Sequence, residues 1–381
     1  MTDATAADTS LQEFRIAVSD EELDDLHRRL RSARWTEELA DAAWSDGITP
    51  QAMHRLVERW LDGYDWRAVE ERLNRRRQIT TVIDGQRIHA VVAPSARADA
   101  IPLLLLHGWP STFAEFEPVI DALTSPPSSD DVAFHVVVPS VPGYAFSGPT
   151  TERGWTSARI ARAFAELMAR LGHTGYVAHG ADLGFHISSD LAVLDPAHVR
   201  AIHLNLGGVR QAGKRQHEPS ASEAEADAKR RQAHYLADMS AYALLQATRP
   251  QTLSYMLIDS PIAQLAWVGE KFHEWTDPGH PVADDDVLTA ASLYWFTRTG
   301  GSAARFYQSG YGEARMGRRP FVTTPTGVSV WPHDIVPALR HWTEEEYNVT
   351  YWADMPAGAH FAALETPDLL VQTLRRFAAT L

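Results

Sequence analysis

Gly175-Tyr-Val-Ala-His-Gly180-Ala-Asp182-Leu-Gly184-Phe-His-Ile-Ser-Ser-Asp-Leu-Ala-Val-Leu194 is the stretch that decides the fold. Its first six residues are β-prone and its last ten read as a helix. Between them lies the pentapeptide Gly180-Ala-Asp-Leu-Gly184. A strand, a sharp Gly-x-nucleophile-x-Gly turn and a helix lift the central side chain above the end of a sheet, because small flanking residues let the backbone fold tightly. Here that side chain is a carboxylate, not a hydroxyl. A carboxylate attacks saturated carbon by displacement and is left as an alkyl ester, which suits opening a strained cyclic ether or expelling a halide. Taken alone the pentapeptide is equally a Gly-rich turn with a surface Asp, so the neighbouring chain has to decide.

Upstream, Pro102-Leu-Leu-Leu-Leu106 and Phe134-His-Val-Val-Val138 are apolar throughout, as strands buried on both faces are. The pattern predicts helices near 113–123 and 156–171 and a sixth buried strand over 199–206. Strand and helix in alternation mean a mostly parallel central sheet with helices on both faces, an α/β fold. The alternation stops at Val209. Residues 209–318 read as helices and loops, an insertion after the sixth strand that would form a lid over the carboxyl edge of the sheet, where such folds bind ligands. Its first part, 220–229, is charged and Ala-rich, a solvated helix or a flap. Strand patterns return at Phe321-Val-Thr-Thr, Gly327-Val-Ser-Val-Trp331 and Val349-Thr-Tyr-Trp352, and a helix from Pro367 closes the chain. Ahead of the core, a strand is expected at Phe14-Arg-Ile-Ala-Val18, followed by helices capped by Ser19, Thr49 and Asp65. Glu22 follows the first cap as in a capping box and Pro50 takes the first position of the second helix. Asp84-Gly85 then turns a hairpin. The expected division is 1–95, an N-terminal segment wrapping the core; 96–208 and 319–381, the two parts of the core; and 209–318, the lid.

The formal charge of −14 disfavours a nucleic-acid or anionic membrane partner. The run Arg75-Arg-Arg77 ends a helix, where cations complement the dipole. There is no cysteine, hence no disulfide framework, thiolate metal site or thiol redox chemistry. The first ten residues lack the basic and apolar regions of a secretion signal, and the longest apolar run, 101–106, is too short to span a bilayer. A cytoplasmic protein using neither metal nor cofactor is expected.

An ester on Asp182 must be hydrolysed, which needs a general base and a carboxylate to orient it. Both should follow the nucleophile in the order acid, then His. His360, in the loop between the last strand and the final helix, is where the base belongs. Asp334 is the carboxylate in the loop after Gly327-Val-Ser-Val-Trp331; the alternative acid position, Asn205-Leu-Gly-Gly208, offers none. Backbone N–H groups of Leu183 and, from His107-Gly-Trp-Pro110, of Trp109 would hold the oxyanion. His107, His179 and His186 read as structural hydrogen-bonders. Opening a cyclic ether leaves an alkoxide, and a tyrosine is neutral at pH 7 yet able to donate. Tyr242 and Tyr307 lie in helices of the insertion, but spacing alone does not select them from Tyr235, Tyr255, Tyr294 or Tyr311. Pocket walls are expected from Trp109, Phe185, Trp267, Phe306 and Phe361, with further aromatic surface from Tyr255, Phe272 and Trp295.

From about Phe14 to the C-terminus the chain resembles the epoxide hydrolases of the microsomal type, members of the α/β-hydrolase superfamily. The resemblance rests on His107-Gly-Trp-Pro, Pro139-Ser-Val-Pro-Gly-Tyr144, Gln246-Ala-Thr-Arg-Pro-Gln-Thr-Leu253, Asp259-Ser-Pro261, Glu270-Lys-Phe272 and Gly358-Ala-His-Phe-Ala-Ala-Leu-Glu365. It implies hydrolysis of a small-molecule epoxide to a vicinal diol, with the nucleophile at Asp182, the base at His360, the lid tyrosines at Tyr242 and Tyr307, and the acid, often Glu in the family, at Asp334. It also implies the N-terminal wrapping segment and, as in bacterial members, no membrane-anchoring helix. The family's Gly-Gly-Asp-Trp-Gly elbow is Gly-Ala-Asp-Leu-Gly here, which opens the pocket where the Trp ring would lie. A bulky apolar or aryl epoxide, a xenobiotic or a natural-product intermediate, is the expected substrate. A haloalkane dehalogenase shares the nucleophile and base but commonly holds its halide with the Trp that is Leu183 here. A ligand-binding protein on the same scaffold would not need an ordered Asp-His-Asp set. A homodimer is one state this reading admits.

Overall fold

The computed structural model describes residues 10–37, 41, 43–205, 208–313 and 319–381, with backbone alone at 209–211 and 311–313. Its centre is a nine-stranded sheet in the order β1-β2-β3-β5-β4-β6-β7-β8-β9. The strands are β1 (Gln12–Phe14), β2 (Arg77–Ile83), β3 (Gln86–Ala93), β4 (Ile101–Leu106), β5 (Phe134–Pro139), β6 (Tyr176–Gly180), β7 (Val199–Leu204), β8 (Val322–Val330) and β9 (Tyr347–Asp354). From β5 to β9 every pairing is parallel, and β1, β2 and β3 add an antiparallel edge. Leu103 to Leu106 of β4 are wholly buried, as their unbroken apolar run requires. Strand order reverses around β4, so the chain leaves β4 and β6 in opposite directions and opens a crevice at their carboxyl ends.

The expected α/β architecture is the one found. Helix caps fall where the sequence puts them: Ser19 Oγ accepts from Glu22 N, Thr49 Oγ1 from Ala52 N, and Asp65 from Arg67 N and Ala68 N. Glu22, expected to close a capping box, pairs with Arg298. The first strand needs correction. It is Gln12–Phe14, not 14–18. Ile16 N–H donates to Asn74 Oδ1, Asn74 Nδ2 donates to Ile16 O, and Val18 N–H donates to Glu70 Oε1. Side chains of the helix Trp66–Leu73 and its cap therefore satisfy the backbone that a ladder would have used. Phe321 and Gly327 patterns, separate in sequence, belong to the single strand β8.

Between β7 and β8 the described chain is helical: Gly208–Lys214, Glu223–His234, a π-type turn at Tyr235–Met239, Ala241–Thr248, Pro250–Asp259, Pro261–Glu274, Asp284–Thr297 and Gly300–Glu313. The charged stretch from 220 forms the second of these helices. The expected strand end at Leu206 and the segment 314–318 lie outside the described residues. N-terminal helices latch this layer: Trp60 Nε1 donates to Ser292 Oγ at 3.0 Å, and Arg59 pairs bidentately with Asp285 at 2.8 Å. No helix among the described residues is long and apolar enough to cross a membrane.

Candidate active site

Asp182 joins β6 to the helix Leu183–Leu194 with φ 50° and ψ −119°, a conformation that a residue with a Cβ adopts only under constraint. The constraint is close packing. A Cβ on Gly180 would lie 2.1 Å from Gly184 O, one on Gly184 2.1 Å from Leu106 O, and one on Gly108 2.3 Å from Asp182 Oδ1. The glycines thus seat the turn against the end of β4. Trp109 N–H, in the turn after β4, donates to Asp182 Oδ1 at 2.9 Å. Leu183 is the first residue of its helix, so its N–H has no intrahelical partner and belongs to the positive end of the dipole.

The loops after β8 and β9 bring up the other two groups. His360 Nδ1 lies 3.0 Å from Asp334 Oδ1, which also accepts from Ile335 N–H at 2.7 Å. His360 Nε2 faces Asp182 Oδ2 at 3.6 Å and has no hydrogen-bond partner. Burial pushes the His360 imidazole down, but Asp182 and Asp334 outweigh it and raise it to about 10. Three backbone hydrogen bonds hold its loop: Gly358 N–H donates to Asp277 Oδ2 at 2.8 Å, His360 N–H to Trp275 O at 3.1 Å, and Phe361 N–H to Glu365 Oε1 at 2.7 Å. The other oxygen of Glu365 accepts from Asp277 N–H at 2.7 Å. Sequence reasoning missed both carboxylates. Glu365 stood in the quoted Gly358-to-Glu365 segment as its one acid, and burial raises it to about 7.

Helices of the insertion supply the facing wall. The Tyr242 ring stacks on Trp109 at 4.8 Å, and Tyr307 stands edge-on to both, 5.8 Å from Tyr242 and 6.1 Å from Trp109. Tyr307 OH is buried without a partner, whereas Tyr242 OH lies 3.1 Å from Tyr235 OH. Burial, reinforced by the Asp182 charge, pushes both phenols well above their ordinary value, so each stays a neutral donor. The remaining candidates separate by their partners. Tyr294 OH donates to Ser111 O at 2.9 Å, Tyr255 is 69% exposed, and the Tyr311 side chain lies outside those described.

Phe361 and Trp109 border the triad, and Phe306 packs edge-on against Tyr307 at 6.3 Å. Phe185 turns instead toward Tyr347 and His186, and Trp267 packs on Leu253, Leu257 and Ala304 with its Nε1 3.5 Å from Gln246 Oε1. The site residue unread in the sequence is Trp275. Fully buried, it lies 5.0 Å from His360 and 5.3 Å from Tyr242, and its Nε1 has no partner. Tyr255 and Trp295 line a surface groove of about 490 Å³ that contains none of the triad. His107 is a structural pin: Nδ1–H donates to Gly108 O, Nε2 accepts from Val141 N–H, and burial lowers it to about 4. His179 meets His203, and His333 points to Asp277 from 3.6 Å. Among the described residues no cluster of His, Asp and Glu has the arrangement of a metal site.

Comparison with known proteins gives the family. Residues 11–116 match the family described as epoxide hydrolase N terminus, and 101–275 match the α/β hydrolase fold. Epoxide hydrolase 1 of Sus scrofa is 34% identical over 99% of this chain and 90% of its own. The structure of Aspergillus niger epoxide hydrolase superposes with a TM-score of 0.87, at 35% identity, over 99% of this chain and 98% of that one. Juvenile hormone epoxide hydrolase of the silkworm Bombyx mori superposes at 0.90, with 25% identity, over 98% and 95%. A strained carboxylate elbow, a buried imidazole beside it and full-length kinship together place the chain in the microsomal-type epoxide hydrolase family, hydrolases built on the α/β-hydrolase fold.

Proposed function

We propose that the protein converts an epoxide to a vicinal diol in two steps, through an ester on Asp182. The observation that carries this reading is the inequality of the two Asp182 oxygens. Oδ1 is held by Trp109 N–H, and Oδ2 is left facing His360. Oδ2, which Trp109 N–H does not hold, attacks a ring carbon, and Oδ1 becomes the ester carbonyl, already in the donor pocket of Trp109 and Leu183 that the tetrahedral intermediate will need. Tyr242 and Tyr307 donate to the ring oxygen as its bond to carbon breaks. The partnerless hydroxyl of Tyr307 supports an oxygen ligand there.

Esterification also switches the base on. Two carboxylates keep His360 charged in the resting site. Once Asp182 is a neutral ester, only Asp334 supports the charge, and burial drives the imidazole down toward the neutral form that can take a proton from water. Asp334 then holds Nδ1–H so that Nε2 points at the water. A halide reading is less well supported, because Leu183 brings no side-chain donor to a leaving halide. We read residues 1–95 as the wrapping segment and 209–318 as the cap, the substrate as apolar or aryl given Trp109, Trp275 and Phe306 around the tyrosines, and the protein as cytoplasmic.

Intact-protein mass spectrometry tests the mechanism. With styrene oxide as probe, His360→Gln should gain one substrate mass and stop, and Asp334→Asn should do so with slow leakage. Asp182→Asn should gain none. Normal turnover by His360→Gln would put the base elsewhere; no adduct would overturn the two-step scheme.

A further inference from the structure

A third tyrosine stands behind the two facing Asp182. Tyr235 opens the π-type turn Tyr235–Met239, a local irregularity of the kind found where helices serve a function. Its hydroxyl lies 3.1 Å from that of Tyr242. Tyr235 itself is half-buried, and His234, Leu236 and Asp238 around it are exposed. The turn is pinned from below: Lys271 Nζ donates to Met239 O at 3.3 Å and sits 5.0 Å over the Tyr242 ring. A phenol that donates to a substrate oxygen must leave its own hydrogen free, so in the working orientation Tyr235 is the donor and Tyr242 the acceptor of their shared bond.

We propose that Tyr235 is a relay residue for the reaction assigned above: as Tyr242 gives its proton to the epoxide oxygen, Tyr235 gives its own to Tyr242 and is refilled from the solvent face of the turn. In ring opening the ring C–O bond breaks, the Oδ2–C bond forms, and the ring oxygen takes the Tyr242 proton. In hydrolysis water adds to the acyl carbon and the acyl C–Oδ2 bond breaks. One water proton ends on the new diol hydroxyl and the other leaves by way of His360. One proton is thus drawn from the phenols and one is released per cycle, and Tyr235 connects the phenols to the water that carries it. Tyr307 has no phenol of its own behind its hydroxyl and is coupled to the chain only through Tyr242, which assigns unequal parts to the two lid tyrosines.

The inference rests on the proposed role of Tyr242, so the test separates the two. With styrene oxide and excess enzyme, Tyr235→Phe should lower the rate of ester formation about tenfold, the scale of one hydrogen bond, and leave ester hydrolysis unchanged. In a Tyr242→Phe background the same change should cost less than about twofold, because the partner is gone. Wild-type ester formation should depend on solvent deuterium fraction along a curve, as two protons move together, and Tyr235→Phe should make that dependence linear. The wild-type deuterium series needs no variant, so a straight line there overturns the relay even if Tyr235→Phe fails to fold. Equal losses in both backgrounds also overturn it. A slow Tyr242→Phe beside a normal Tyr235→Phe removes the relay alone; a normal Tyr242→Phe removes the role of Tyr242 and the relay with it.

Discussion

The two walls of the site are held by different means. On the sheet side, Asp182 stands on a turn whose glycines leave no room for a Cβ, and the loop of His360 is gripped at three backbone N–H groups. On the helical side, Tyr242 and Tyr307 are held by ring packing against Trp109 and Trp275. The outer faces of the helices there leave Leu244 and Met256 exposed. Backbone contacts tolerate little displacement, while stacked rings can slide. That division fits the proposed chemistry: displacement at carbon needs an in-line approach, and a phenol has to follow an oxygen as it swings away.

Breaking the rigid wall should have the largest effect. Gly184→Ala would set a Cβ 2.1 Å from Leu106 O between helix and strand, and should yield no folded protein by circular dichroism. The same change at Gly310, where nothing lies within 4 Å, should be neutral or raise stability by up to ~1 kcal/mol in thermal unfolding. Next come the phenols. Tyr242→Phe and Tyr307→Phe should each slow ester formation by about 10- to 1000-fold, with the double variant far worse and ester hydrolysis spared in stopped-flow traces. Loss of hydrolysis instead would erase the distinction between the walls. Glu365→Gln keeps the size of the side chain but sets an amide NH₂ against one of the two N–H groups, of Phe361 and Asp277, from which Glu365 accepts, so one arm of the loop clamp is lost. It should slow ester hydrolysis about tenfold while ester formation stays near wild type, so that adduct builds up during turnover.

The smallest effect is in pH. His360 is raised from 6.5 to about 10, so the stability it gains from Asp182 and Asp334 is complete below about 6.5 and is lost as pH rises through about 10. The melting temperature of the wild type should exceed that of His360→Gln most at or below about pH 6.5, and the gap should close as pH rises toward about 10. A gap that widens with pH would mean that the imidazole is neutral in the resting site.

What was legible in the sequence follows the same division. Glycines at 180 and 184, apolar runs at 102–106 and 134–138, and acid and base in order at strand ends are local signals, and they sufficed for the fold and for the meeting of Asp182, Asp334 and His360 at one place. The helical wall carries no such signal. Tyr294 and Tyr307 both carry buried hydroxyls on helices, and what distinguishes them is whether a hydroxyl meets a carbonyl from Ser111, far away in the chain. Only the family resemblance singled out Tyr242 and Tyr307. Trp275 and Asp277 were illegible for the same reason, since their importance is conferred by a loop some eighty residues downstream. The displaced first strand shows the converse: alternation at 14–18 was real, but Asn74 and Glu70 supplied its hydrogen bonds.

The pinning of Oδ1 by Trp109 N–H gives the nucleophile a memory. Under the proposed mechanism the oxygen lost to each diol is Oδ2, and the water that cleaves the ester refills that same position. Oδ1 is never exchanged. A first cycle in ¹⁸O-water should therefore release unlabelled diol and leave one heavy atom on Asp182, and a second cycle in ordinary water should export all of it. Rotation of the carboxylate between cycles would export only half, so the isotope content of the second diol counts how often Asp182 lets go of its tether.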